Sequence, residues 1–141
     1  MIVVDTSAWY SVFDSAEPAH SACIEFLTTS TEGLATTPLV LAELDHLLLT
    51  RLGEAVRNRV MLRLAAGAVS LSPFDGAAFA EVARAADRHT GMRLGLTGAS
   101  VLVAAAQHRT TRILTLDHKH FRALRPLSGG DAYTLLPADA G

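Results

Sequence analysis

Short apolar runs alternate along the chain with longer stretches of helical spacing. Ile2-Val3-Val4 is a wholly apolar run of strand length that stops at Asp5, and Thr6-Ser7-Ala8 follows at once. A helix is expected over Ser7–Phe13, broken by Asp14 to Glu17. A second starts near Pro18 and runs to about Leu27, with Ala19, Ala22, Cys23, Phe26 and Leu27 on one face. Gly33 to Thr36 reads as a strand. Thr37-Pro38 is a cap followed by a first-turn proline, so a helix is expected from Leu39 to about Leu52, closed by Gly53. Further helices are expected over Glu54–Ala66, Asp75–His89 and Ala99–His108, the last capped by Thr97. Strands are expected over Ala68–Leu71, Arg112–Leu116 and Ala132–Leu136, and residues 137–141 are expected to fray. Strands alternating with helices indicate an α/β fold around a mainly parallel sheet.

In such a sheet the strand ends gather on one edge, and ligands bind in the crevice there. Asp5 and Asp117 both fall at the end of an apolar strand, the second after Arg112-Ile113-Leu114-Thr115-Leu116. Glu43 lies between them in sequence, on the helix that begins at Pro38, one step around from Leu44 and Leu47. Leu39, Leu44, Leu47 and Leu48 are the expected buried face of that helix. Taken singly, Asp5 suits a helix cap, Asp117 a turn, and Glu43 an ion pair with an arginine. Taken together, three acids on one sheet edge repel unless a cation joins them. Mg²⁺ takes oxygen ligands, keeps several waters and commonly uses one or two carboxylates with a substrate phosphate. The pattern therefore points to metal-assisted chemistry on phosphate, with Mn²⁺ as a substitute ion.

Composition narrows the partners. The chain has 141 residues, enough for one domain (1–141) with a normal core. Half of them are apolar, which leaves apolar surface for a partner to cover. No apolar run reaches the ~18 residues that span a membrane. The start has no basic region and meets an acid at position 5, so no signal peptide is expected, and with one cysteine, Cys23, a reducing cytoplasm is the expected compartment. A net charge of −2 excludes a strongly basic nucleic-acid coat. The cations are eleven Arg and a single Lys, Lys119, a set suited to bidentate phosphate contact and to stacking on bases. The six histidines form no i,i+4 pair, which argues against zinc. His118, Lys119, His120 and Arg112 stand where they would border a phosphate path.

The opening Ile2-Val3-Val4-Asp5-Thr6-Ser7-Ala8, the central Leu41-Ala42-Glu43-Leu44 and the late Ile113-Leu114-Thr115-Leu116-Asp117-His118-Lys119-His120-Phe121 together resemble the PIN-domain nucleases, and within them the VapC-type toxins of bacterial toxin–antitoxin pairs. The resemblance implies a three-layer α/β/α fold and an Mg²⁺-dependent endoribonuclease acting on structured RNA of the rRNA or tRNA class. It implies Asp5, Glu43 and Asp117 as catalytic and metal-holding residues, with Thr6 and Thr115 in support. It also implies a VapB-type antitoxin whose C-terminal helix fills a groove beside Trp9, Tyr10 and Phe13, a homodimer, and a larger toxin–antitoxin assembly. Arg51, Arg57, Arg59 and Arg63 would face RNA or that partner.

One position departs from the family. Arg93-Leu94-Gly95-Leu96-Thr97-Gly98-Ala99-Ser100 resembles the helix start where the family carries a further metal-facing Asp, and here Gly98 takes its place. No acid occurs between Asp87 and Asp117, so a shift of register does not restore the charge. Two other functions compete. A receiver-like phosphoacceptor needs an acid after its third strand, where this chain has Ser72-Pro73-Phe74. A catalytically silent PIN fold that only binds antitoxin or RNA would follow from the loss at Gly98.

Overall fold

The computed structural model describes residues 1–141. Five short strands form one parallel sheet: β1 (Ile2–Val4), β2 (Leu34–Thr36), β3 (Val69–Leu71), β4 (Arg112–Leu114) and β5 (Thr134–Leu136). Seven helices connect them: α1 (Thr6–Phe13), α2 (His20–Thr29), α3 (Pro38–Leu52), α4 (Glu54–Ala66), α5 (Gly76–Arg88), α6 (Leu96–Gln107) and α7 (His118–Arg122). The expected α/β class is present, and the sheet is parallel throughout. No helix is long and apolar enough to cross a membrane.

The strand order is β3-β2-β1-β4-β5. The chain therefore winds outward from β1 to β3, then crosses back to lay β4 on the other side of β1. That reversal makes the β1/β4 boundary the topological switch point, where parallel sheets leave a crevice beyond the strand ends. Ile2, Val3, Val4, Ile113, Leu114, Leu135 and Leu136 are fully buried, so the apolar character of these runs comes from being covered on both faces.

Local sequence sets the ends that matter for the site. Thr37 accepts a hydrogen bond from the Val40 amide at 3.1 Å, Pro38 fills the first turn, and Gly53 closes α3 at φ 90°. The buried face of α3 is Val40, Leu44 and Leu48; Leu44 and Leu48 are buried as expected, whereas Leu39 and Leu47 are only half-buried and Val40 takes the inner position. The Thr37 hydroxyl also meets the Ser100 hydroxyl at 2.8 Å, which pins the start of α6 against the start of α3.

Several element bounds differ from expectation; β4, for one, ends at Leu114 rather than Leu116. Helix α6 begins at Leu96 with Gly95 as its N-cap, because the Ala99 amide bonds the Gly95 carbonyl; Thr97 thus lies inside the first turn and caps nothing. Helix α7 was not expected, since five residues carry too little periodicity to read; Asp117 caps it. Residues 137–141, expected to fray, hold a turn in which Asp139 accepts from the Leu135 amide at 2.8 Å and pairs with Arg122 at 2.7 Å. That pairing holds the Asp139 carboxyl below its ordinary range.

Candidate active site

The switch point opens into a cavity of about 470 Å³ beyond the ends of β1 and β4. Asp5, Glu43, Gly98 and Asp117, four positions far apart in sequence, all line it. Thr6 and Ser7 line it too, whereas Thr115 lies just beneath, fully buried.

Asp5 leaves β1 with its amide bonded to the Leu114 carbonyl at 3.0 Å, so β4 fixes its position. It occupies the N-cap position of α1, yet its side chain makes no capping bond. The carboxylate is instead held by hydroxyls: Thr115 donates at 2.8 Å and Ser7 at 3.0 Å, both to Oδ2. Asp5 is only 7% exposed, and burial pushes its pKa up, with a smaller contribution from the neighbouring Glu43 charge; the Thr115 and Ser7 hydroxyls oppose the rise. An acid shaped in this way is not a structural cap. Its ionised form carries an energetic cost, which a cation would relieve.

Glu43 is exposed into the cavity and enters no ion pair with any arginine. Asp117 behaves differently. Its Oδ1 caps α7 by accepting from the His120 amide at 3.2 Å, and the His120 ring nitrogen Nδ1 lies 3.0 and 2.8 Å from its two oxygens. The three acids therefore share one cavity, but no three potential metal ligands come together as a ready-made cluster. Asp5 and Glu43 are the open pair; Asp117 is engaged by its own helix.

A divalent ion with a large water shell fits this donor set. Mg²⁺ needs only one or two carboxylates, with waters and substrate phosphate completing its six positions. Thr6 also lines the cavity, but its hydroxyl oxygen is buried from solvent and has no hydrogen-bond partner, so it is not an open ligand for the ion. Gly98 lines the cavity at the third residue of α6, and no side chain replaces the absent acid. Ser100 does not stand in for it, because its hydroxyl donates to the Thr97 carbonyl at 2.6 Å and meets Thr37.

Two contributors, Ser7 and Arg93, escaped the sequence reading. Ser7 ties the site together, since its hydroxyl also lies 3.3 Å from the Thr115 hydroxyl and accepts from the Leu116 amide at 3.0 Å. Its place two residues after a strand-end acid was the available signal. His120 borders the site as expected, but its contact is with Asp117. Arg93 lines the cavity with a left-handed backbone, which nothing in the sequence announced.

On the opposite flank of α1, Trp9 and Phe13 stack at 6.1 Å and line a separate apolar groove with Ile24, Leu27 and Leu64, bordered by Arg63.

The comparisons with known proteins agree with this architecture. A PIN-domain model matches residues 2–125. Ribonuclease VapC26 of Mycobacterium tuberculosis is 40% identical over 136 residues, which cover 96% of this chain and 100% of that protein. Among solved structures, VapC20 of Mycobacterium tuberculosis, a toxin that cleaves the sarcin-ricin loop, matches with a TM-score of 0.81 at 16% identity, over 93% of this chain and 100% of that one. FitAcB of Neisseria gonorrhoeae matches with a TM-score of 0.59 at 21% identity, over 86% of this chain and 91% of that one. At those identities the two structures speak for the fold. The chain belongs to the PIN-domain family. It is a nuclease of the VapC type.

Proposed function

We propose that this nuclease is the toxin half of a type II toxin–antitoxin pair, an Mg²⁺-dependent endoribonuclease of the cytoplasm. The observation that carries the proposal is Asp5: a nearly buried carboxylate, held by two hydroxyls, in the wall of the same cavity as Glu43. The likeness to ribonuclease VapC26 over nearly the whole chain supports RNA as substrate. Structured RNA with exposed loops is the favoured class, since nucleotides there can be splayed into a cavity.

In this reading Asp5 and Glu43 would hold the ion, and Asp117 would join them on leaving His120. The ion, when bound, polarises the phosphodiester and makes a bound water more acidic. The Thr115 and Ser7 hydroxyls keep Asp5 in one orientation, so its charge is aimed before RNA arrives. Hydrolysis breaks one P–O bond, water oxygen joining phosphorus and the ribose oxygen leaving with a proton. The apolar groove beside Trp9 and Phe13 suits the apolar face of an antitoxin helix, and a homodimer would cover further apolar surface.

A second reading has a specific observation behind it. Gly98 supplies no carboxylate and Asp117 is held by His120, so a silent PIN fold that binds antitoxin or RNA is the alternative. Incubation of total RNA with purified protein separates them. The enzyme reading expects discrete cleavage in Mg²⁺ or Mn²⁺ that EDTA abolishes. Tight RNA or antitoxin binding with no cleavage in either metal favours the silent module.

A further inference from the structure

The wall of the cavity contributed by residues 93–98 has a charge opposite to that of the acids around it. Arg93 is exposed, makes no ion pair and is the one arginine that lines the cavity. Its backbone sits at φ 56°, a conformation that side chains other than glycine rarely adopt. Immediately after it, α6 starts without any side-chain cap and with no acid in its first turn. The amides of Leu96, Thr97 and Gly98 accordingly have no acceptor. In a helix of twelve residues such amides carry a partial positive charge toward whatever lies in front of them. Leu96, Thr97 and Gly98 all line the cavity that Asp5 and Glu43 line.

We propose that this wall is a seat for an RNA backbone phosphate, with Arg93 as the residue that positions it. The inference rests on the nuclease reading and assigns one side of its substrate site. A carboxylate at position 98 would make the wall a cation ligand; a glycine leaves the amides and the guanidinium facing the cavity unopposed. The phosphate then lies between a positive wall at α6 and the Asp5–Glu43 pair. Arg suits the role better than Lys because its planar fork can meet two phosphate oxygens at once.

The strained φ supplies a clean variant. Glycine adopts φ 56° freely, so Arg93→Gly removes the guanidinium without harming the backbone. The test is fluorescence anisotropy of a fluorescein-labelled RNA stem-loop, titrated with protein over a series of salt concentrations in Ca²⁺, with cleavage in Mg²⁺ followed in parallel. Arg93→Gly is expected to melt no lower than the parent protein. It should bind the stem-loop about tenfold or more weakly, and its log–log salt slope should be shallower by ~0.7–0.9, the loss of one phosphate contact. Arg93→Lys should keep the slope and recover part of the affinity. Wild-type affinity and slope in Arg93→Gly would overturn the phosphate seat while leaving the nuclease reading intact. Failure of the parent protein both to bind and to cleave any RNA would overturn that reading, and the seat with it.

Discussion

Asp5→Asn is expected to reduce RNA cleavage about a thousandfold or more and, at the same time, to raise the melting temperature of the metal-free protein. The first effect follows from losing a charge that holds the ion, which is worth several kcal/mol to the phosphoryl transition state, where each ~1.4 kcal/mol is a factor of ten. The second follows from burial. Burial raises the Asp5 pKa in the folded protein above its unfolded value, so the native state binds a proton more readily than the unfolded chain. Below the unfolded pKa the wild type bears no penalty. As pH rises through the folded pKa the carboxyl ionises in a poor environment and stability is lost. Asparagine keeps an oxygen for the Thr115 and Ser7 hydroxyls and never ionises. The gain in melting temperature should thus be present at neutral pH in EDTA, disappear at acid pH, and shrink when saturating Mg²⁺ stabilises the wild type alone. Calorimetric melts across pH, with and without Mg²⁺, check this. A variant less stable than the parent at neutral pH in EDTA would mean that Asp5 is a structural residue.

Gly98→Asp is expected to raise Mg²⁺ affinity and RNA cleavage together, each by about tenfold or more, since a further carboxylate adds both a ligand and a charge. The local structure says what stands in the way. A Cβ at position 98 would come 2.7 Å from Leu94 Cδ1 and no backbone atom within 4 Å. Leu94 is half-buried and packs at the join of the two apolar clusters, so its side chain end has to swing aside. The helix itself welcomes the change: position 98 is in the first turn of α6, where an acid is favoured by the free amides and glycine is a poorer helix former than aspartate by about a few tenths of a kcal/mol. Pairing Gly98→Asp with Leu94→Ala should therefore give at least the metal affinity of Gly98→Asp alone. Calorimetric Mg²⁺ titration and initial rates on a labelled stem-loop measure both effects. No gain in either variant would show that position 98 does not face the ion.

Much of the fold was legible because strands buried on both faces are short apolar runs with nothing polar inside them. Ile2–Val4 and its abrupt end at Asp5 could be read directly, as could Thr37-Pro38 and Gly53 around α3. Topology then carried Asp5 and Asp117 to one edge, because parallel strands end together there, and α3, which starts just after β2, brought Glu43 to the same cavity. What was not legible depended on contacts between distant segments. Asp117 carries a strand-end pattern like that of Asp5, yet Asp5 is held by Thr115 and Ser7 while Asp117 is drawn to His120. The sequence has no marker for that difference, since α7 is too short to announce itself. The start of α6 was placed too late because Thr97 is the better cap by residue type, whereas the Gly95 carbonyl closes the first turn. Arg93 was passed over for a related reason: a left-handed arginine is set by how the α5–α6 connection closes.

The most direct measurement is anomalous diffraction from crystals of the protein soaked in Mn²⁺. One peak in the cavity, about 2 Å from oxygens of Asp5 and Glu43, with Asp117 bonded to it or to one of its waters, is the result expected here. Mn²⁺ absent from the cavity while bound at other carboxylates, or a cavity in which Asp5 keeps only its two hydroxyl partners at saturating metal, would contradict a divalent centre at this sheet edge.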